Sequence, residues 1–174
     1  MIYVAVGTQK FQFNRLLRNV DDLIESGVIS EPVFAQVGNS DYLPQNYEFK
    51  NFLSRDEYER KVKECDLLIT HSGVATIMTG LKNNKPVIVV PRLAKYGEHI
   101  DDHQIQIAET FSEQNFVIMC GECDSLEEAL TKAKNNVFSR YESHRALVVK
   151  TIREFLTASS EGNESFDFVY FLIS

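Results

Sequence analysis

The order of elements predicts an α/β fold: a doubly wound parallel sheet of Rossmann-like type. Three observations carry this reading. Short apolar runs alternate along the chain with stretches of helical spacing. The runs Leu67–Ile69 and Val87–Val90 are continuously apolar, as strands covered on both faces are. The helical stretches between runs are long enough for right-handed crossovers to parallel neighbours.

The first run, Ile2–Val6, ends at Gly7-Thr8. A helix is expected over Phe13–Glu25, where Phe13, Leu16, Leu17, Val20, Leu23 and Ile24 recur on one face. Val33–Val37, after Pro32 and before Gly38-Asn39, is the second strand, and the third falls around Tyr47–Phe52. Ser54-Arg-Asp-Glu57 is a capping box that opens a helix to about Lys63.

The centre of the chain is Leu67–Ala108. Its apolar run stops at Thr70-His71-Ser72-Gly73, a helix follows from Val74 to Leu81, and Asn83-Asn84 closes it. Pro86 opens the run Val87–Val90, which stops at Pro91. A polar loop rich in charge and imidazole then covers Arg92–Gln104 and leads into another helix. Phe116–Met119 is the sixth strand, Ser125-Leu-Glu-Glu128 a second capping box with a helix to about Lys134, and a longer helix is expected over Phe138–Leu156. Residues 1–158 thus form one domain. Residues 159–174 are a small polar linker and an apolar tail, Phe166–Ile173, which docks on its own domain, on a partner or on a second copy.

A chain of 174 residues suits one such domain with a full core. Its net charge of −7 argues against a nucleic-acid backbone as main partner. Met1 runs straight into a strand, with no charged and apolar leader, and no apolar run has bilayer length; a cytoplasmic protein is expected. Cys120-Gly-Glu-Cys123 is a lone C-x-x-C without a second pair to complete a zinc tetrad, and Cys65 reads as a core residue. Neither the dinucleotide fingerprint, nor a P-loop, nor the nucleophile elbow of α/β-hydrolases is present.

In an open α/β sheet, ligands belong at the carboxyl ends of the strands. The helix start at Ser72–Thr76 presents unpaired N–H groups and partial positive charge, and Gly73 allows close approach, so a diphosphate fits there. Ser72 and Thr76 add hydroxyls; His71 either donates to a phosphate oxygen or holds the turn. The run Glu98-His99-Ile-Asp-Asp102-His103-Gln104 mixes donors and acceptors as a sugar requires. Metal binding competes, because His99 and His103 are four apart, although H-E-x-x-H is absent.

The segment THSG–VATIMTGLKNNKPVIVVP followed by DDHQ resembles the nucleotide-sugar signature of the two-domain inverting glycosyltransferases called GT-B, and within them the carboxy-terminal half of glycosyltransferase family 28. The resemblance covers about residues 1–120. It is nearest to small stand-alone versions of that half, such as the catalytic subunits of the dolichol-linked N-acetylglucosaminyltransferase and of bacterial capsule and exopolysaccharide transferases. VGTQKFQFNRLLRNVDDLI and VPRLAKYGEHIDDHQ resemble the bacterial group in particular.

The resemblance implies the donor-binding half of a GT-B enzyme, moving galactose, glucose, glucuronic acid or N-acetylglucosamine from a UDP-sugar to a lipid-linked saccharide. It implies donor contacts at Gly7, Thr8, His71, Ser72, Gly73, Thr76 and Gln104, with Asp102 and His103 near the sugar. Phe52 or Leu53 would lie against the uracil, and Arg92 and Glu98 complete the donor set. No metal or other cofactor is implied, since the helix dipole takes the cation's place at the leaving diphosphate. A GT-B site lies between two domains, so a membrane-anchored partner subunit that brings the acceptor is implied, with this chain held at the inner face of the membrane through it. Two positions depart from the pattern: Thr79 stands where a ribose-binding glutamate is common, and Gln9 where the bacterial group often has histidine. Glutamine is no base at neutral pH, so the base comes from the partner or from His99, Asp102 or His103. The alternatives are a non-catalytic nucleotide-sugar-binding or assembly subunit, and a different sugar-nucleotide enzyme such as an epimerase of related fold.

Overall fold

The computed structural model describes residues 1–141. They form a six-stranded sheet in which every pairing is parallel, in the order β3-β2-β1-β4-β5-β6. The strands are β1 (Ile2–Ala5), β2 (Val33–Gln36), β3 (Glu48–Lys50), β4 (Leu67–Thr70), β5 (Val87–Val89) and β6 (Ile118–Met119). The helices are α1 (Asn14–Glu25), α2 (Arg55–Glu64), α3 (Val74–Lys82), α4 (His103–Glu113) and α5 (Leu126–Asn135), with one 3-10 turn at Ala94–Tyr96. The expected Rossmann-like, doubly wound arrangement is observed.

Strand alternation explains the two cores. Ile2, Val4, Val6, Leu67, Ile69 and Ile88 point to the face covered by Leu16, Leu17 and Val20 of α1 and Ala129, Leu130 and Ala133 of α5. Tyr3, Ala5, Leu68, Val87 and Val89 point to the other face, against Val62 of α2, Ile77 and Leu81 of α3 and Ala108 of α4. The four residues of β1 and the four of β4 are all buried, as their apolar runs require, with the one hydroxyl of β4, on Thr70, bonded to the Ala5 carbonyl. Gly80 of α3 lets this helix lie close to the sheet: a Cβ there would come 2.8 Å from Val87 Cγ2 and 2.9 Å from Leu68 Cδ2.

The first capping box is complete: Ser54 accepts from the Glu57 N–H and the Glu57 carboxylate accepts from the Ser54 N–H. At the second only half forms: Ser125 accepts from the Glu128 N–H and caps α5 as a single serine. The edge strands are shorter than their apolar runs. Tyr47 lies before β3, where its hydroxyl donates to the Leu17 carbonyl, and β6 keeps only two residues of the run from Phe116. The helix expected from Phe138 does not start there. Residues 136–140 form neither helix nor strand and pass Asn115, whose carbonyl accepts from the Ser139 N–H and whose side-chain amide donates to the Val137 carbonyl. The remainder of that helix, the domain boundary at residue 158 and the tail Phe166–Ile173 lie outside the described residues. Among the described residues no helix is long and apolar enough to cross a membrane.

Candidate functional site

The strand order reverses between β1 and β4, and the loops leaving these two strands at their carboxyl ends part around a cleft. A cavity of about 350 Å³ opens there. Its lining brings together Gly7, Thr8, His71, Gly73 and Thr76, all singled out in the sequence. Gln9 and Thr79, the two departures from the family pattern, also line it.

Four further residues line it: Ala75, inside the signature segment, and Ala5, Gln36 and Tyr58, which carry no local motif. Gln36 ends β2, and its amide donates to the Gly7 carbonyl at 3.4 Å. Tyr58 comes from α2 and packs edge-on against Tyr3 at 6.1 Å between ring centres. Their positions follow from the strand order, which no spacing in the sequence displays.

His71 sits at the centre of the turn. Its Nδ1 lies 3.3 Å from the Thr70 hydroxyl and 3.4 Å from the Ala5 carbonyl, while that hydroxyl donates to the same carbonyl at 2.8 Å. Burial, with the nearby Arg92 guanidinium as a second cause, lowers its pKa to about 4. The ring is therefore neutral at pH 7. Gly7, at φ +85°, makes the left-handed turn out of β1 that L side chains rarely adopt.

α3 begins at this turn with Gly73 as its N-cap. No side chain among the described residues caps it, and its first turn holds no acidic residue. α2 and α5 differ: each has a serine cap and two acidic residues in its first turn. α1 and α4 share this lack, so it is the cavity at the start of α3 that leaves its positive end open to an outside acceptor. Ser72, 2% exposed, has an enclosed Oγ with no partner among the described residues. A buried hydroxyl without a partner is costly, but Ser72, unlike Gly73 and Thr76, does not line the cavity.

Gln104, the second residue of α4, ties this turn to the end of β5. Its Oε1 accepts from the Ser72 N–H at 3.3 Å and from the Arg92 N–H at 3.1 Å. Arg92 and Glu98, both expected at the donor, are buried in a framework. The Arg92 guanidinium donates to the carbonyls of Val6, Phe11, Gln12 and Glu98, fastening the loop after β1 to the loop after β5. The Glu98 carboxylate takes two bonds from Arg15, at 3.0 and 2.9 Å, and one from the Leu93 N–H at 2.9 Å. Phe52 is half exposed and Leu53 packs under α2; neither lines the cavity.

The remaining candidates lie on the approach to α4. Asp102 is its N-cap residue, and the Asp102 carboxylate accepts from the Ala94 N–H at 2.8 Å. His103 is exposed and its Nδ1 bonds the Asp101 carboxylate; His99 is buried against Phe11, with ring centres 5.3 Å apart. His99 stands before the helix, so the two histidines do not share a helical face as the spacing of four had suggested. All three cysteines are free; Cys65 and Cys120 are buried and Cys123 is exposed.

Residues 1–157 match the model of the glycosyltransferase family 28 C-terminal domain. The chain belongs to this family. In sequence it is similar to the UDP-N-acetylglucosamine transferase subunit ALG13 of Candida albicans, 30% identical over 94 residues, which cover 54% of this chain and 30% of that one. The subunit of the same name from Saccharomyces cerevisiae is 34% identical over 93 residues, covering 50% of this chain and 44% of its own length. The chain thus spans less than half the length of either relative.

Solved structures agree on the fold. The glycotransferase of kitacinnamycin superposes with a TM-score of 0.59 at 18% identity, over 78% of this chain and 35% of that one. The solution structure of ALG13 gives 0.53 at 18% identity, over 87% and 93%. MurG of Acinetobacter baumannii gives 0.51 at 17%, over 77% and 41%. The family 28 chain described here has the Rossmann-like fold these glycosyltransferases share.

Proposed function

We propose that this chain is the donor-binding, catalytic subunit of a two-part glycosyltransferase that takes a hexose from a UDP-sugar. One observation carries the reading: the uncapped start of α3, with Gly73 and Thr76 on the wall, opens on a cavity at the strand-order reversal. In the reaction an acceptor hydroxyl attacks the anomeric carbon as the bond to the diphosphate breaks, with inversion. Charge grows on the leaving UDP, where the α3 N–H groups and the Thr76 hydroxyl would meet it. Such donors need no bound cation, so transfer independent of a metal follows. Neutral His71 spends its one N–H, at Nδ1, on the Ala5 carbonyl, so it holds the turn in shape beside the diphosphate and brings no charge.

The acceptor proposed is a lipid-linked saccharide, presented by a membrane-anchored partner that closes the other side of the cleft and holds this chain at the membrane. The family match and the subunit names of the relatives support both points. They also put UDP-N-acetylglucosamine first in a donor panel, ahead of the UDP forms of galactose, glucose and glucuronic acid. The base comes from the partner or from His99, Asp102 or His103; the Asp102 carboxylate is already engaged by Ala94.

A second reading, a non-catalytic nucleotide-sugar-binding subunit, is favoured by Gln9 and Thr79 on the cavity wall, where neither side chain can act as a base at neutral pH. Turnover decides between them. The chain co-expressed with its membrane partner should transfer sugar from one member of the panel to a lipid-linked acceptor. Tight donor binding without turnover under those conditions would leave the second reading.

A further inference from the structure

We infer that His99, Asp101 and His103 form a binding site for one divalent ion of the zinc class. The site goes beyond the transferase reading and does not depend on it. One ligand atom from each residue lies within 4.8 Å of the other two. His99 Nδ1 is 3.2 Å from Asp101 Oδ1, and His103 Nδ1 meets the same oxygen from the other side. Donors that share a tetrahedral ion with bonds near 2.0–2.1 Å stand about 3.3 Å apart. The first separation already fits, and the Asp101 side chain, half exposed, is free to draw back and open the second.

The hydrogen bonds leave room for a ligand set. Among the described residues, the one hydrogen bond to His99 Nδ1 comes from the Asp101 N–H at 3.4 Å, a weak bond that an ion would replace. The Asp101 carboxylate sits between the two imidazoles, within reach of both Nδ1 atoms. Two imidazoles and one carboxylate, with outer positions left to water, select zinc, cobalt or nickel over magnesium, which demands oxygen ligands. The rings are set for this by their surroundings. His99 is held against Phe11, and His103 starts α4 with its ring edge-on to His99 at 4.7 Å between centres.

An ion here would pin the loop that leads to Gln104, and Gln104 holds the Ser72 turn. It would also take both imidazoles out of use as the base, leaving that role to the partner or to Asp102. The leaving diphosphate stays with α3, so transfer chemistry is not routed through the ion.

The full chain, stripped with chelator, is titrated with cobalt(II) and then with zinc(II). One equivalent of cobalt should bind, with the visible absorption of a low-coordinate ion, and zinc should displace it. His103→Ala should abolish the absorption, and Asp101→Asn should weaken binding at least ~10-fold. Cys123→Ser should change nothing. Zinc should shift the imidazole proton resonances of His99 and His103 in the unmutated chain and leave those of His71 in place. Failure to saturate at one equivalent, survival of the absorption in His103→Ala, its loss in Cys123→Ser, or unmoved His99 and His103 resonances would each overturn the site.

Discussion

The imidazole of His71 fills the space that a side chain on Gly73 would need: a Cβ built on Gly73 would stand 2.3 Å from His71 Nε2. Gly7 makes the same allowance on the other side, where a Cβ would stand 2.6 Å from Cε1. The two glycines and the histidine are therefore one unit, and the floor of the cavity is made from it. Gly73→Ala must push the ring off the Ala5 carbonyl. Overpacking of this kind costs about 1–3 kcal/mol. Urea unfolding should show that loss, and calorimetry should show weaker UDP binding by the same chain.

His71 also sets a pH dependence. Unfolded, it titrates near 6.5; folded, near 4. Between these values the unfolded chain binds more protons, so stability rises with pH across the window. The contribution is fully present above about pH 6.5 and is lost as pH falls toward 4, by up to about 3 kcal/mol. Unfolding midpoints from pH 7 to 4 should fall more steeply for the natural chain than for His71→Asn.

Gln104 holds two backbone donors with one oxygen. Gln104→Leu leaves the N–H groups of Ser72 and Arg92 without that acceptor, at about 1–3 kcal/mol for each buried donor stranded. The melting temperature should drop and UDP binding should weaken together. Gln104→Glu, which keeps an acceptor at this place, should lose less stability.

Glu98 has no exposed surface and pairs with Arg15 beside Arg92. Arg15 is partly exposed and keeps the Pro91 carbonyl, so the main loss is the acceptor of the buried Leu93 N–H, about 1–3 kcal/mol. Glu98→Ala should therefore destabilise the domain measurably in chemical unfolding. Its effect on donor affinity should be no more than the loss of folded protein explains.

Sequence and structure part company where distance along the chain matters. β1, β4 and β5 were legible because buried parallel strands are apolar throughout, and α2 and α5 because their serine caps precede glutamates by three. The ends of β3 and β6 were not, since an edge run such as Phe116–Met119 pairs on one side only. At the site, the turn His71-Ser72-Gly73 was readable from local composition. Tyr58 and Gln36 were not, because α2 and β2 reach the cavity only through the sheet order. Arg92 and Glu98 read as ligand contacts because charge in a loop usually faces water; here each is enclosed by the bonds it makes with the chain. Asp101 carried no signal of its own, and only the folded loop sets it between two imidazoles.

The central claim is that UDP occupies the cavity at the start of α3. Amide and imidazole resonances recorded during a UDP titration test it most directly. The account predicts saturable shifts at Gly7, His71, Gly73, Thr76 and Thr79, with the amides of β3 and α5 unmoved. Absence of saturable shifts at these residues, both for the isolated chain and with its membrane partner present, would contradict it.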